Sequence, residues 1–176
     1  MKIYLDNMFV CKNIKPDLIL QDEQKALDKL RKTPLLEIVT SRESWREQEK
    51  TRYQAIRDQY QQNRDKIPVV LDDHKVLDFS SQHNQSGGFI TSPLVTDIVD
   101  EKIFNASKEL LKKKTKNVEN DARHLMYALC NNCERLVTTD SNFIDNRNEI
   151  EKRFSAIQIV KPSELLEELN KNDDKD

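Results

Sequence analysis

Short apolar segments alternate with longer segments of helical periodicity along the chain. The apolar segments predict strands at four places, which are residues 2–5, 35–40, 135–139 and 156–160. Apolar residues on one side predict helices over about residues 21–32 and 100–114. Residues 43–64 have few β-branched residues and neither glycine nor proline, which predicts a long helix, and further helices are predicted over about residues 122–132, 146–153 and 163–169. This alternation predicts an α/β fold with a central, mostly parallel β-sheet flanked by helices on both faces.

Two segments have weaker patterns. Residues 69–71 are a further candidate strand, and residues 80–88 read as a polar loop. The length of 176 residues fits one compact domain, which we expect to span residues 1–169. Residues 170–176 are polar and low in complexity, which predicts a disordered tail.

Composition excludes several classes of protein. Hydrophobic residues make up 36% of the chain and charged residues 34%, which predicts a modest core under a heavily charged surface. The net charge of −2 excludes a bulk polycation, so nucleic-acid binding would need a local basic patch. The best candidate patch is the group Lys112, Lys113, Lys114 and Lys116, although such runs are most often simply solvated surface.

Cofactor sites and cellular location are also restricted by composition. The only two glycines, Gly87 and Gly88, are adjacent, which argues against phosphate-binding loops that need spaced glycines. No apolar run approaches the roughly 18 residues of a membrane span. The apolar start is interrupted by Asp6 and Asn7, which does not fit a secretory signal. Three cysteines, an odd number, favour a reducing cytoplasm over a disulfide scaffold.

Aspartates follow two of the predicted strands directly. Asp6 ends the first strand and Asp140 ends the strand at 135–139, while Asp121 begins the helix that leads into that strand. The carboxyl ends of parallel strands share one edge of a sheet, so the topology brings these three side chains together. Glu47, in the helix after the strand at 35–40, is a candidate fourth acid.

Clustered carboxylates repel one another unless a cation neutralises them. Several negatively charged oxygen ligands suit Mg²⁺ or Mn²⁺, and one or two such ions can polarise a phosphodiester and activate water. Taken singly, Asp6 and Asp121 would be ordinary helix caps and Asp140 a turn residue. Their predicted convergence is what favours the metal site.

Four segments of the chain carry a family resemblance: residues 1–6 (MKIYLD), 121–128 (DARHLMYA) and 136–143 (LVTTDSNF), and the closing strand at 156–160 followed by residues 162–166 (PSELL). They resemble the PIN domain, a family of metal-dependent ribonucleases that includes many VapC-type toxins. It implies a three-layer PIN-like fold and a hydrolase that cleaves RNA with Mg²⁺ or Mn²⁺. It also implies a cytoplasmic toxin–antitoxin pair with a cognate antitoxin protein, and a homodimer, since dimers are common in the family.

The resemblance assigns roles to individual residues. Asp6, Asp121 and Asp140 match the metal-binding aspartates of the family. The second acid of the family lies in the helix after the second strand, which makes Glu47 the first choice and Glu43 its competitor. Glu43 is close enough to the helix start to be favoured there for electrostatic reasons alone.

One position departs from the family pattern. Many members carry a further acid just after the last aspartate, where this chain has Asn142, and Asp145 lies one turn further on. An asparagine can still offer an oxygen ligand. The alternative function is therefore a PIN-like domain that no longer cuts and acts as an RNA-binding or protein-interaction module. A phosphatase is a remote third possibility because no nucleophile motif is present.

Two other features have simple structural interpretations. Cys130 and Cys133 form a Cys-x-x-Cys pair late in a helix, where two small, partly buried thiols are more common than a metal or redox site. His124 lies one turn after Asp121 and could orient a carboxylate or contact substrate, but a histidine that packs between helices is more common.

Overall fold

A four-stranded sheet organises the part of the chain that the computed structural model describes, which is residues 1–6, 21–41, 43–44, 100–111 and 118–173. These residues form four strands and five helices. In chain order they are β1 (Lys2–Leu5), α1 (Gln21–Leu30), β2 (Glu37–Val39), α2 (Glu101–Leu111), α3 (Val118–Cys130), β3 (Arg135–Val137), α4 (Ser141–Arg153), β4 (Gln158–Val160) and α5 (Pro162–Asp173).

All three strand pairings are parallel, and the strand order is β2-β1-β3-β4. Tyr4 of β1 is in register with Val39 on one side and with Leu136 on the other. The predicted α/β class with a parallel sheet is confirmed. The direction in which the chain adds strands reverses between β1 and β3. From β1 the chain continues outward to β2 at one edge, and from β3 it continues outward to β4 at the other edge. A crevice that binds ligands forms at such a switch point in open parallel sheets.

Side chains alternate between the two faces of the sheet, and each face has its own apolar core. Tyr4 and Leu136 pack with residues of α2, α3 and α4 on one face. Ile3, Leu5 and Val137 pack with residues of α1 and α5 on the other. Burial on both faces explains why β1 and β3 are apolar at nearly every position. The result is three layers, helices–sheet–helices.

The chain connections explain which helix covers which face. The connection from β1 to β2 carries α1, and the connection from β3 to β4 carries α4. These connections run in opposite directions along the sheet, so crossovers of the same hand fall on opposite faces. The two helices are found on opposite faces accordingly.

Two helix starts have clear local causes. Asp140 caps α4, because its side chain accepts a hydrogen bond from the backbone N–H of Asn142. Helix α5 begins at Pro162, and Glu164 Oε2 accepts from the backbone N–H of Lys161 at 2.9 Å, as in a capping box.

Several boundaries differ from the sequence-based prediction. Helix α3 begins at Val118 and α4 at Ser141, four and five residues earlier than predicted. The strand predicted at 35–40 is shorter: Leu35 is 73% exposed, because the bond from Leu36 N to Thr33 O holds this segment in a turn. Helix α5 continues to Asp173, so residues 170–173 of the predicted tail are helical.

The amino ends of the strands are joined by compensating polar contacts. The backbone N–H of Lys2 donates to Glu134 Oε1 at 3.0 Å, and its ammonium lies 3.6 Å from Glu37 Oε1. Arg135 Nη2 pairs with Glu168 Oε1 at 2.7 Å. Each of these carboxylates therefore has a cation or a backbone N–H as partner.

The β4 edge of the sheet is covered by a side chain. Gln158 N donates to Glu134 O and Val160 O accepts from Thr138 N, so these two residues face β3. The intervening N–H of Ile159 points away from β3 and donates to Glu151 Oε1 at 2.8 Å. A carboxylate from α4 thus satisfies the outward donor of the edge strand.

Some predicted elements lie outside the described residues. They are the helix over 43–64 beyond Ser44, the strand at 69–71, the loop at 80–88 and the lysine group at 112–116. Among the helices that are described, none combines the length and the apolar character needed to cross a membrane.

Candidate active site at the carboxyl end of the sheet

The central strands β1 and β3 end side by side at the switch point. Leu5 is in register with Val137, and the backbone N–H of Asp6 donates to Val137 O at 3.3 Å, which extends the contact by one residue. Asp6 therefore leaves β1 directly beside the start of the loop that runs from Thr138 to Asp140. Both predicted strand-end aspartates lie at this edge.

Thr138 connects the first two aspartates. Its hydroxyl donates to Asp6 Oδ2 at 2.7 Å and accepts from the backbone N–H of Asp140 at 2.9 Å. Thr138 is fully buried and Asp6 is 6% exposed, so these bonds form away from bulk water. The conformation of the loop is thereby tied to the position of Asp6.

Asn142 connects the second aspartate to the third. Its backbone N–H donates to Asp140 Oδ1 at 2.6 Å, and its side-chain Nδ2 donates to Asp121 Oδ2 at 2.8 Å. The three aspartates thus belong to one continuous chain of hydrogen bonds, running from Asp6 through Thr138, Asp140 and Asn142 to Asp121. We call these five residues the acidic chain.

The electrostatics of Asp121 reflect this crowding. The pKa of its carboxyl is raised to about 6, mainly by burial; the charges of Asp140 and Asp6 add to the rise, and the Asn142 hydrogen bond and His124 oppose it. Asp6 and Asp140 are therefore close enough to act against the ionised form of Asp121. A bound cation would relieve that repulsion.

Behind the acidic chain, a buried polar network joins β1, α3 and the end of β2. The Tyr4 hydroxyl donates to Ser41 Oγ at 2.6 Å and hydrogen-bonds His124 Nδ1 at 2.7 Å. The Tyr4 and His124 rings meet edge to face, with centroids 5.8 Å apart. His124 is 1% exposed, so it supports the site from the interior, where its contact is with strand β1.

The segment after β2 lies at the same end of the sheet. Thr40 Oγ1 donates to Leu5 O at 3.0 Å and shares a hydrogen bond of 2.9 Å with Ser44 Oγ. Glu43, between these residues in the chain, is only 2% exposed. Glu47, the first choice for the second acid, lies outside the described residues.

The candidate metal ligands are oxygens of Asp6, Asp121 and Asp140, with Glu43 as the first acid in sequence after β2. Hydrogen bonds from Thr138 and Asn142 engage one oxygen of each aspartate. In the described ranges, no three Asp, Glu, His or Cys side chains are arranged as a ready metal-binding group. The donor chemistry fits Mg²⁺ or Mn²⁺. Binding would require the carboxylates to turn towards a common centre.

Sequence reasoning missed the connecting residues of the site. Thr138 lies two residues before Asp140. A hydroxyl side chain at this spacing favours a local hydrogen bond to the backbone, so the sequence does contain a signal for the contact between Thr138 and Asp140. The sequence suggests the side-chain oxygen of Asn142 as a metal ligand, whereas in the structure its Nδ2 donates to Asp121. Asp145, the possible substitute acid, is exposed on α4.

The cysteine pair lies away from these residues. Cys130 is half-buried, Cys133 is buried, and both thiols are free. Burial raises the pKa of Cys133 to about 12, which keeps that thiol protonated. The predicted burial of the two cysteines is therefore found, with Cys133 more buried than Cys130.

Comparison of the chain with protein-family models, with curated proteins and with solved structures found no match.

Proposed function

We propose that this protein is a divalent-metal-dependent endoribonuclease of the PIN type, which hydrolyses RNA phosphodiester bonds. The observation that carries the proposal is the acidic chain at the switch point of the sheet. Three aspartates from separate elements are connected there, and the pKa of one of them is raised by burial and by the other two. Perturbed carboxyl groups in the ligand-binding crevice of a parallel sheet are typical of functional sites.

Asp6, Asp121 and Asp140 would hold Mg²⁺ or Mn²⁺. When bound, such an ion supplies Lewis-acid chemistry for phosphodiester cleavage. The aspartates can bind a cation only as carboxylates, so the site is prepared above the pKa of about 6 at Asp121. Thr138 restricts the carboxylate of Asp6, and Asn142 restricts that of Asp121. The buried contact between Tyr4 and His124 holds α3 against β1.

The second acid is assigned to Glu43 or Glu47. Glu43 has structural support, because it is buried in the segment after β2, which lies at the carboxyl end of the sheet. We expect the correct choice to be shown by Glu43→Gln and Glu47→Gln prepared in parallel. The substitution that weakens Mn²⁺ binding identifies the second acid.

The decisive test is Mn²⁺ calorimetry combined with cleavage of a mixed RNA substrate. The wild-type chain should bind Mn²⁺ saturably and cut RNA only when the ion is present. The double variant Asp6→Asn, Asp121→Asn should lose both properties, whereas Glu37→Gln, at the amino end of the sheet, should keep them. Cleavage by the double variant at the wild-type rate would refute the proposal.

One observation favours the non-cutting alternative, a PIN-like domain that binds RNA or a protein. The position where many family members carry an acid is occupied by Asn142, which donates to Asp121. Under this alternative, the wild-type chain and the double variant would bind RNA equally and neither would cleave it. Metal binding that is lost in the double variant argues for the enzyme.

The resemblance to the PIN family extends the proposal to partners and location. It implies a cytoplasmic toxin with a cognate antitoxin protein, and a homodimer. Expression of the wild-type chain should then arrest growth of a bacterial host, and the double variant should not. Sedimentation of the purified chain tests the dimer.

A further inference from the structure

Asn142 contacts two aspartates that come from different parts of the chain. It is 1% exposed, at the second position of α4. Its backbone N–H binds Asp140 Oδ1 at 2.6 Å, and its side chain binds Asp121 Oδ2 at 2.8 Å. Asp121 lies in the first turn of α3, so this residue connects the starts of two helices.

The orientation of the Asn142 amide is fixed by a second asparagine. Asn146, one turn later and also buried, donates from Nδ2 to the backbone carbonyl of Asn142 at 2.7 Å and to its Oδ1 at 3.4 Å. The carbonyl end of the Asn142 side chain therefore faces Asn146, and its N–H end faces Asp121. This orientation suits a hydrogen-bond donor to a carboxylate and does not present Oδ1 as a metal ligand.

The neutrality of the amide has a clear electrostatic effect. An ionised aspartate at this position could not donate to Asp121 and would add another negative charge beside Asp6, Asp121 and Asp140. An amide donor instead favours the charged carboxylate that a cation requires. Groups that orient metal ligands by hydrogen bonds strongly affect metal affinity without touching the ion.

We infer that Asn142 is a positioning residue of the proposed metal site, which holds Asp121 relative to Asp140 through hydrogen bonds and is not itself a ligand. The inference rests on the proposed function, since it concerns the same cation. It adds a residue whose effect on metal affinity is exerted through Asp121.

The first measurement compares Mn²⁺ affinity by calorimetry in the wild-type chain, in Asn142→Ala and in Asn148→Ala. Asn148 is an exposed asparagine on the same helix and serves as the matched control. We expect Asn142→Ala to weaken Mn²⁺ binding by roughly tenfold and Asn148→Ala to leave it within about twofold. If Asn142→Ala does not fold, Asn142→Ser takes its place, since its short side chain keeps a polar group but does not span to Asp121.

The second measurement separates positioning from ligation. A double-mutant cycle of Asn142→Ala and Asp121→Ala is measured on urea unfolding of the metal-free chain, because alanine removes the acceptor as well as the charge. Positioning predicts coupling of roughly fivefold to tenfold in the folding equilibrium constant, because the hydrogen bond exists without metal. A ligand role predicts weaker Mn²⁺ binding without coupling, and that result would overturn the inference.

The outcomes also separate this inference from the proposed function. If the wild-type chain binds no Mn²⁺, both fail. If it binds Mn²⁺, loses binding in Asp121→Asn and keeps full affinity in Asn142→Ala, the metal site stands and the positioning role is wrong.

Discussion

The two ends of the sheet surround their carboxylates with different partners. At the amino end, Glu37 lies beside the Lys2 ammonium and Glu134 accepts the Lys2 backbone N–H. At the carboxyl end, a hydroxyl donates to Asp6 and an amide donates to Asp121, and the charges of neighbouring aspartates help to raise the pKa of Asp121. The acids at the first end are compensated, whereas at the second end Asp6 and Asp140 act against the ionised form of Asp121.

This difference separates stability from function. Compensated surface pairs contribute little and can be replaced at small cost. A group of buried carboxylates that repel one another destabilises the metal-free fold, and such groups cluster at functional sites where a ligand relieves the repulsion. We therefore expect substitutions at the carboxyl end of the sheet to have the largest effect on activity. Their effect on stability can have either sign, because removing a charge also removes repulsion.

The largest effect is expected from removing one carboxylate at the carboxyl end. Asp6→Asn should lower Mn²⁺-dependent RNA cleavage by on the order of a thousandfold, because the amide is a far weaker ligand for a divalent cation. Cleavage rates at saturating Mn²⁺ measure the effect, with Glu37→Gln as the control at the other end. Equal losses in the two variants would contradict the distinction between the ends.

Breaking the hydrogen-bond chain at Thr138 should give the next largest effect. Thr138→Val removes the donor to Asp6 and the acceptor for Asp140 N, leaving buried polar groups without their partner. Urea unfolding should show a loss of about 2 kcal/mol. Thr138→Ser keeps the hydroxyl and should recover most of that loss; a serine variant as unstable as the valine variant would point to packing of the methyl group instead.

The stability of the metal-free chain should depend on pH through Asp121. Its folded-state pKa of about 6 lies above the unfolded value, so its contribution is fully present below about pH 4 and is lost as pH rises through 6. After allowance for solvent screening of its exposed part, the loss is about 1–2 kcal/mol by pH 8. Asp121→Asn should abolish this difference in unfolding free energy. Parallel pH curves for the wild type and the variant would show that Asp121 is not perturbed.

The smallest effect is expected at the amino end. Glu37→Gln breaks an exposed ion pair with Lys2 and should change the free energy of unfolding by less than about 0.5 kcal/mol. Raising the salt concentration should reduce even that difference. A change several times larger would show that this end is not merely compensated surface.

Much of the fold could be predicted because its signals are local. Alternating apolar strands and helical periodicity gave the parallel sheet, and strand ends marked by Asp6 and Asp140 gave the edge where acids converge. Leu35 was misassigned to a strand because an apolar residue in a turn looks the same in sequence as one in a strand. The early start of α3 gives no apolar signal, because three of the four residues in its first turn are polar. In α4 the first-turn pair Phe143 and Ile144 is followed by five polar residues, so it shows no helical apolar period.

The candidate site could be predicted only in part. The positions of three aspartates followed from topology, while their metal-dependent chemistry stays a prediction. The contact from Thr138 to Asp6 depends on the pairing of β3 with β1, and the contact from Asn142 to Asp121 depends on how the start of α4 meets the first turn of α3. Both contacts join residues far apart in sequence, so they could not be derived from either residue locally.

The carboxylate that covers the β4 edge has a consequence for association between chains. Adding a strand to a sheet requires outward N–H groups that are available to a new partner. At β4 the outward N–H of Ile159 already binds Glu151 Oε1 at 2.8 Å. A second chain approaching this edge must displace a charged acceptor from its donor, and the helix bearing it must move aside. The addition of a strand from a second chain is therefore disfavoured at this edge.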